Sequence, residues 1–176
     1  MCIINIVGDE NMDIKFKNNN MTFNCRVAII IECNNKFLFQ QTKNDSDYTL
    51  VGGKIQLMET SIKGAVRELK EELGYVANKD DLKLVEICEN FFDYYDDVDK
   101  LQYVHSILFI YKIKINDNED ISKKNGFSVL DKNSTKLYWL DKEKALNSNI
   151  LPSIAKRLIC ESYFKYHINK DINDNK

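Results

Sequence analysis

The chain contains a single proline and only six glycines in 176 residues. Proline-rich spacers and glycine-rich linkers are therefore absent. With no internal repeat visible, the sequence reads as one domain. Cysteine is sparse and unpatterned: Cys2, Cys25, Cys33, Cys88 and Cys160 are odd in number and lack metal-ligand spacing. That argues against a disulfide framework or a zinc site and for reduced, mostly buried thiols in a cytoplasmic protein. No apolar run approaches the roughly 20 residues needed to cross a bilayer, so no membrane partner is expected. No basic segment leads into a long apolar region and cleavage site near Met1, so no secretory signal is read, and Met12 is an alternative start. A basic excess is missing too. Lys and Arg number 25 against 27 Asp and Glu, a formal net charge of −2, which leaves no electrostatic footprint for nucleic acid.

What is present is an ordinary globular balance, 44% hydrophobic and 30% charged, with enough chain for a sizeable core. The most strongly specified stretch is Gly53 to Tyr75, GKIQLMETSIKGAVRELKEELGY. Ile62, Ala65, Val66, Leu69 and Leu73 recur at three- and four-residue spacing and predict one apolar helix stripe. Glu68, Glu71 and Glu72 fall within an arc of roughly 100° well away from it. The reading is therefore a buried apolar side and a projecting acidic side. Glu68 and Glu72 are a like-charge pair one turn apart, which costs about 0.2–0.5 kcal/mol. Glu71 and Glu72 also occupy the last turn, where the helix dipole disfavours anions. Arg67 offsets part of this charge. A hard divalent cation such as Mg²⁺ would offset the rest, because it takes oxygen ligands and sits on a few carboxylates. Thr60 or Ser61 is expected to cap the N-terminus and Gly74 to close the C-terminus, with Tyr75 folding back. Glu59 is placed to reach Arg67.

Around this helix the pattern alternates between strands and turns. Strands are expected at Arg26–Glu32, Lys36–Gln41, Tyr48–Val51, Leu82–Phe92, Leu101–Ile115 and Lys136–Leu140. Asn34-Asn35 suits a tight hairpin, since Asn tolerates positive φ. A short helix is expected over Asp141–Leu146. A last helix starts at Pro152, with Leu151, Ile154, Ala155, Leu158 and Ile159 as its apolar face. Residues 1–21 read as a weakly ordered arm, residues 22–168 as the domain and residues 169–176 as a polar tail. Periodicity alone supports α/β or α+β.

The spacing Gly53, Glu59, Arg67-Glu68-Leu69, Glu71-Glu72, Gly74 resembles the Nudix box, the signature of the Nudix hydrolases. A chance match at every fixed position has odds on the order of one in ten million. Tyr75 stands where the last position is usually aliphatic. Val51 stands where many members have Pro, and Met58 where many have Gly. None of the three departures removes a metal ligand.

The resemblance implies a Nudix-type α/β/α sandwich with a mixed β-sheet. It also implies Mg²⁺, with Mn²⁺ able to substitute, held by Glu68, Glu71, Glu72 and the Gly53 carbonyl, and a Glu59–Arg67 pair supporting them. The implied reaction is hydrolysis of a diphosphate linkage in a nucleoside diphosphate derivative by metal-activated water. Glu68, Glu71, Glu72, Arg67 and Glu59 form the catalytic set, and Glu68 is one candidate base. The partner is a small nucleotide-type substrate, and a homodimer is a further expectation. Two alternatives stay open: a non-hydrolytic nucleotide-binding or regulatory module, and a diphosphate isomerase built on the same box.

Outside the box the candidates are weaker. Glu89 and Glu119 are possible extra carboxylates. Tyr48, Phe91, Tyr94 and Tyr95 are possible stacking rings for a base. His105 falls in an apolar register and is expected to be a packed histidine. The acidic run Asp93, Asp96, Asp97 and Asp99 is expected to be a solvated hairpin tip.

Overall fold

A computed structural model describes residues 12–43, 45–96, 98–130, 132–161 and 164–171. Residues 1–11 of the arm, Cys2 among them, Asp97 and the end of the tail lie outside these residues. The elements run β1 (Lys15–Asn18), β2 (Met21–Cys33), β3 (Lys36–Thr42), β4 (Tyr48–Thr49), α1 (Ser61–Leu73), β5 (Lys83–Tyr95) and β6 (Leu101–Lys114). They continue with β7 (Phe127–Val129), β8 (Lys132–Asp141), α2 (Lys142–Asn147), β9 (Ile150–Leu151), α3 (Ile154–Cys160) and β10 (Lys165–Asp171).

The centre of the molecule is β2. Its run from Val27 to Ile31 is buried at every position, as a strand covered on both faces should be. Val27, Ile29 and Ile31 enter one core with Ala65 and Leu69 of α1. Ala28 and Ile30 enter a second core with Ala145 of α2 and Ala155 and Leu158 of α3. The expected α/β/α sandwich is thus present. The sheet is mixed: β2 runs parallel to β6 and antiparallel to β3, and its path is β10-β5-β6-β2-β3-β4-β9. Asn34 and Asn35 turn β2 into β3 with φ of 48° and 61°, the left-handed pair that a two-residue hairpin requires.

Several elements depart from expectation. Part of the stretch read as a loose arm is β1, antiparallel to β2, with Asp13 bridged to Gln56. The reason is edge pairing, which KFKN in isolation does not advertise. The polar tail begins as β10, whose backbone runs parallel to β5 as far as Asp171. Leu151 belongs to β9 rather than to the last helix, which begins at Ile154 rather than at Pro152, with Ser153 at its N-terminal cap position. Among the described residues Cys25, Cys33, Cys88 and Cys160 form no disulfide. No helix among the described residues is long and apolar enough to cross a membrane.

Candidate active site

The site is built where the loop after β4 runs alongside β2. Ile29 N–H donates to Val51 O (2.8 Å), Val27 N–H to Gly53 O (2.9 Å) and Ile55 N–H to Cys25 O (2.9 Å). The loop therefore lies against β2 like a neighbouring strand. Gly52 has φ of 145°, and a Cβ there would sit 2.2 Å from Val27 O, so only glycine fits. A Cβ on Gly53 would sit 2.3 Å from Glu68 Oε1, which shows how closely that carboxylate presses on the loop.

The ends of α1 are as expected. Thr60 accepts from Lys63 N–H (3.4 Å) and Gly74 adopts φ of 69°. Gly74 N–H donates to Lys70 O and Tyr75 N–H to Leu69 O, closing the last turn. The faces of the helix differ from expectation. Glu68 is 6% exposed and Glu72 0%, while Glu71 is open to solvent. The acidic side is thus largely buried against the glycine loop, where Gly52 N–H donates to Glu72 Oε2 (3.2 Å). Ile62 and Val66, expected in the buried stripe, are half-buried on a groove of about 960 Å³ shared with Lys63, Lys70 and Asn78.

Arg67 organises the cluster. Its Nε donates to Glu59 Oε1 (2.9 Å) and its Nη2 to Glu59 Oε2 (2.9 Å) and Lys54 O (2.8 Å). Its Nη1 donates to Glu68 Oε1 (2.7 Å) and Glu71 Oε2 (2.9 Å). All five guanidinium N–H groups are thereby used. The hydrogen bonds that Arg67 donates to Glu59, then those to Glu68 and Glu71, raise its pKa still further against the effect of burial. For Glu59, burial pushes the carboxyl pKa up. The Arg67 hydrogen bonds and the Gln56 amide outweigh that and hold it below the ordinary value.

Arg26 is a site residue that the motif does not contain. Burial lowers its pKa, and Glu68, Glu72 and Asp13 act against that shift as nearby negative charges. Asp13 in turn pairs with Lys54 (2.7 Å), which ties the segment before β1 to the loop. The signal was present in the sequence: a cation inside RVAIIIE, at a position that strand alternation assigns to a buried face.

The donor chemistry suits a hard divalent cation. Four carboxylates (Glu59, Glu68, Glu71, Glu72) face two guanidiniums, leaving a formal charge of −2. No three acidic, histidine or cysteine side chains among the described residues are drawn into a ready cage. Mg²⁺ does not need one, since it commonly takes one or two carboxylates together with water and substrate phosphates.

The candidates outside the box are engaged elsewhere. Tyr48 packs against Phe39 and edge-on to Tyr138, at the second core. Phe91 stacks on His105 at 4.2 Å, and Phe23 meets the same imidazole edge-on at 5.1 Å. His105 is thus a packed histidine. Glu89 accepts from the Tyr166 hydroxyl and lies 3.7 Å from His105 Nε2. Tyr94 and Tyr95 are exposed near the β5–β6 hairpin tip, where Asp96 accepts from Val98, Lys100 and Gln102. Glu119 precedes a 3-10 turn (Asp120–Lys123) and lines a cavity of about 640 Å³ with Tyr75 and Leu130.

Comparison with known proteins agrees with this architecture. The sequence profile of the NUDIX domain matches residues 23–159. Among curated proteins no sequence matches. Among solved structures, a mutator MutT protein from Bacillus halodurans superposes with a TM-score of 0.59 at 19% identity, over 82% of this chain and 89% of that one. A NUDIX hydrolase from Nitrosomonas europaea gives 0.52 at 18% identity, over 84% and 79%.

Proposed function

The chain belongs to the Nudix hydrolase family, a family of pyrophosphohydrolases, and on that premise we propose that it uses Mg²⁺ to hydrolyse a diphosphate linkage in a nucleoside diphosphate derivative. One observation carries this reading: two helix carboxylates, Glu68 and Glu72, are buried together against the Gly52-Gly53 loop, in a cluster whose formal charge of −2 one divalent cation would balance. Burying like charges is costly unless a cation joins them, so the arrangement is that of a binding site.

Glu68 and Glu72 would hold a divalent cation there, and Glu71, at the solvent edge, completes the acidic set. Such a cation would supply charge neutralisation for the diphosphate and a lowered pKa for water. The Gly53 carbonyl has one lone pair beyond its bond from Val27 N–H. Arg67 and Glu59 are positioning residues: they fix Glu68 to the loop and keep Glu71 beside it. Glu68, whose Oε1 accepts from Arg67, is one candidate to take the proton of the attacking water. Mn²⁺ substitutes for Mg²⁺, and the enzyme acts in the cytoplasm, as a monomer or homodimer, on small nucleotides rather than nucleic acid chains.

The test is release of phosphate-containing products across a panel of nucleoside diphosphate derivatives with Mg²⁺, Mn²⁺ or EDTA. Turnover is expected with metal and not with EDTA. Glu72→Gln, which keeps shape and removes charge, is expected to fold normally by circular dichroism and to lose about 100-fold or more in kcat. Full activity in Glu72→Gln would overturn the assignment. Tight nucleotide binding without turnover would make the protein a binding module.

A further inference from the structure

Arginine is scarce in this chain: Arg26, Arg67 and Arg157 are the only three. Two of them are committed to carboxylates. Arg67 spends its five N–H groups on Glu59, Glu68, Glu71 and Lys54 O. Arg157 joins Glu86 (2.7 Å) and Glu161 (2.9 Å). Arg26 differs. Among the described residues its guanidinium makes no hydrogen bond or ion pair, although Glu68, Glu72 and Asp13 all act on it as nearby charges. A structural counter-ion would hydrogen-bond the carboxylates it balances, as Arg67 does.

The position of Arg26 is well defined. Its backbone bridges Lys54, and the next residue, Val27, donates to Gly53 O, so Arg26 stands directly beside the loop of the active site. Val27 enters the α1 core. Strand alternation therefore puts Arg26 on the other face, with Asn24 and Ala28. There the surface changes character. Ala28 and Leu108, the β6 register partner of Arg26, belong to the second core, whereas Asn24 is buried and accepts from Ser106 Oγ at 2.7 Å. Arg26 is thus a half-buried fork of five donors at the border between an apolar core and a polar strip, its backbone bridged to the loop against which Glu68 and Glu72 are buried.

We propose that Arg26 is a phosphate-binding residue of this enzyme, gripping the non-reacting phosphate of the diphosphate while the rest of the substrate runs along β2 toward Asn24 and Ser106. This rests on the hydrolase reading above. The guanidinium fork matches two phosphate oxygens at once, which a lysine in its place does not. Glu68 and Glu72 act on Arg26 as nearby negative charges, and a cation held by those carboxylates would shift its attraction to the incoming phosphate.

The test uses the full chain with Mg²⁺ and α,β-methylene-ADP, a nucleoside diphosphate that cannot be hydrolysed between its phosphates, titrated by calorimetry. Arg26→Ala is expected to weaken binding of the analogue roughly 10- to 100-fold, the size expected for losing hydrogen bonds to a charged group, with Arg26→Lys in between. Mn²⁺ binding, followed by electron paramagnetic resonance, is expected to be no weaker in either variant. Equal binding of the analogue by wild type and Arg26→Ala overturns this proposal alone, as does loss of Mn²⁺ binding together with the analogue. Wild type that binds Mn²⁺ but not the analogue overturns this proposal and the nucleotide reading together. If the variants do not fold, the wild type still decides. Its three arginines give three Nε–H resonances, and that of Arg26 must shift on adding the analogue; an unmoved signal refutes the contact.

Discussion

Met58 shows what a single residue concedes to the site. It lies in the left-handed region at φ of 63° and is 100% exposed, at the position where the Nudix box often has glycine. The loop must turn there so that the next residue, Glu59, can accept from Gln56 N–H and face Arg67. A side chain in that conformation costs roughly 1–2 kcal/mol, and a glycine gives back part of this through the freer unfolded chain. Met58→Gly is therefore expected to stabilise the protein by about 0.5 kcal/mol, read as a higher urea midpoint at unchanged slope. Activity should be preserved, because the Met58 side chain is fully exposed. At this scale the box residues were legible from spacing, since a fixed constellation needs fixed offsets along one helix. Arg26 was legible only as an anomaly: no local rule says which charges a cation in the middle of a strand will face.

At the scale of the element, the pair that matters is α1 and the loop before it. Spacing located the helix, its caps and its apolar core contacts Ala65 and Leu69. The burial of Glu68 and Glu72 was not legible, because it is the loop that covers them. Glu59 is the clasp between the two, holding Arg67 through both of its oxygens. Its carboxyl pKa is depressed below its ordinary value of 4.5. The clasp therefore contributes stability at neutral pH, and this contribution is lost as pH falls through the lower, folded-state value. The difference in unfolding free energy between wild type and Glu59→Gln is expected to be constant above about pH 6 and to shrink as pH drops below the ordinary carboxylate range. Urea titrations of both proteins at a series of pH values give that difference directly. A gap that is flat down to pH 2 would show that Glu59 is not ionised in the clasp.

For the whole molecule, the two cores are held to a common sheet, and one ion pair crosses from helix to strand on the side away from α1. Glu86 is fully buried on β5, beside the register shift between Leu84 and Glu86, and Arg157 of α3 reaches it at 2.7 Å. Removing the arginine leaves a buried carboxylate without its cation. Arg157→Ala is expected to cost about 2–3 kcal/mol, the lower end for a broken buried pair because the arginine is partly exposed. Adding Glu86→Gln should return part of that loss, since the stranded charge is then gone. Because this pair lies in the second core, kcat should change little in protein that remains folded.

The sequence by itself determined the helix with its caps, a strand over Arg26–Glu32, the hairpin at Asn34-Asn35 and the acidic constellation. Each of these is written in offsets of a few residues, where periodicity, turn chemistry and charge act locally. Tertiary structure alone decided the rest. It paired β1 and β10 to sheet edges, because a strand's partner is chosen by what lies beside it and not by its own pattern. It laid the Gly52-Gly53 loop against β2, which turned an acidic helix face into a buried site, and it brought Arg26, 42 positions before Glu68, into the field of those carboxylates. Electrostatic partners at that separation are set by the path of the chain through space, and only the folded sheet supplies that path.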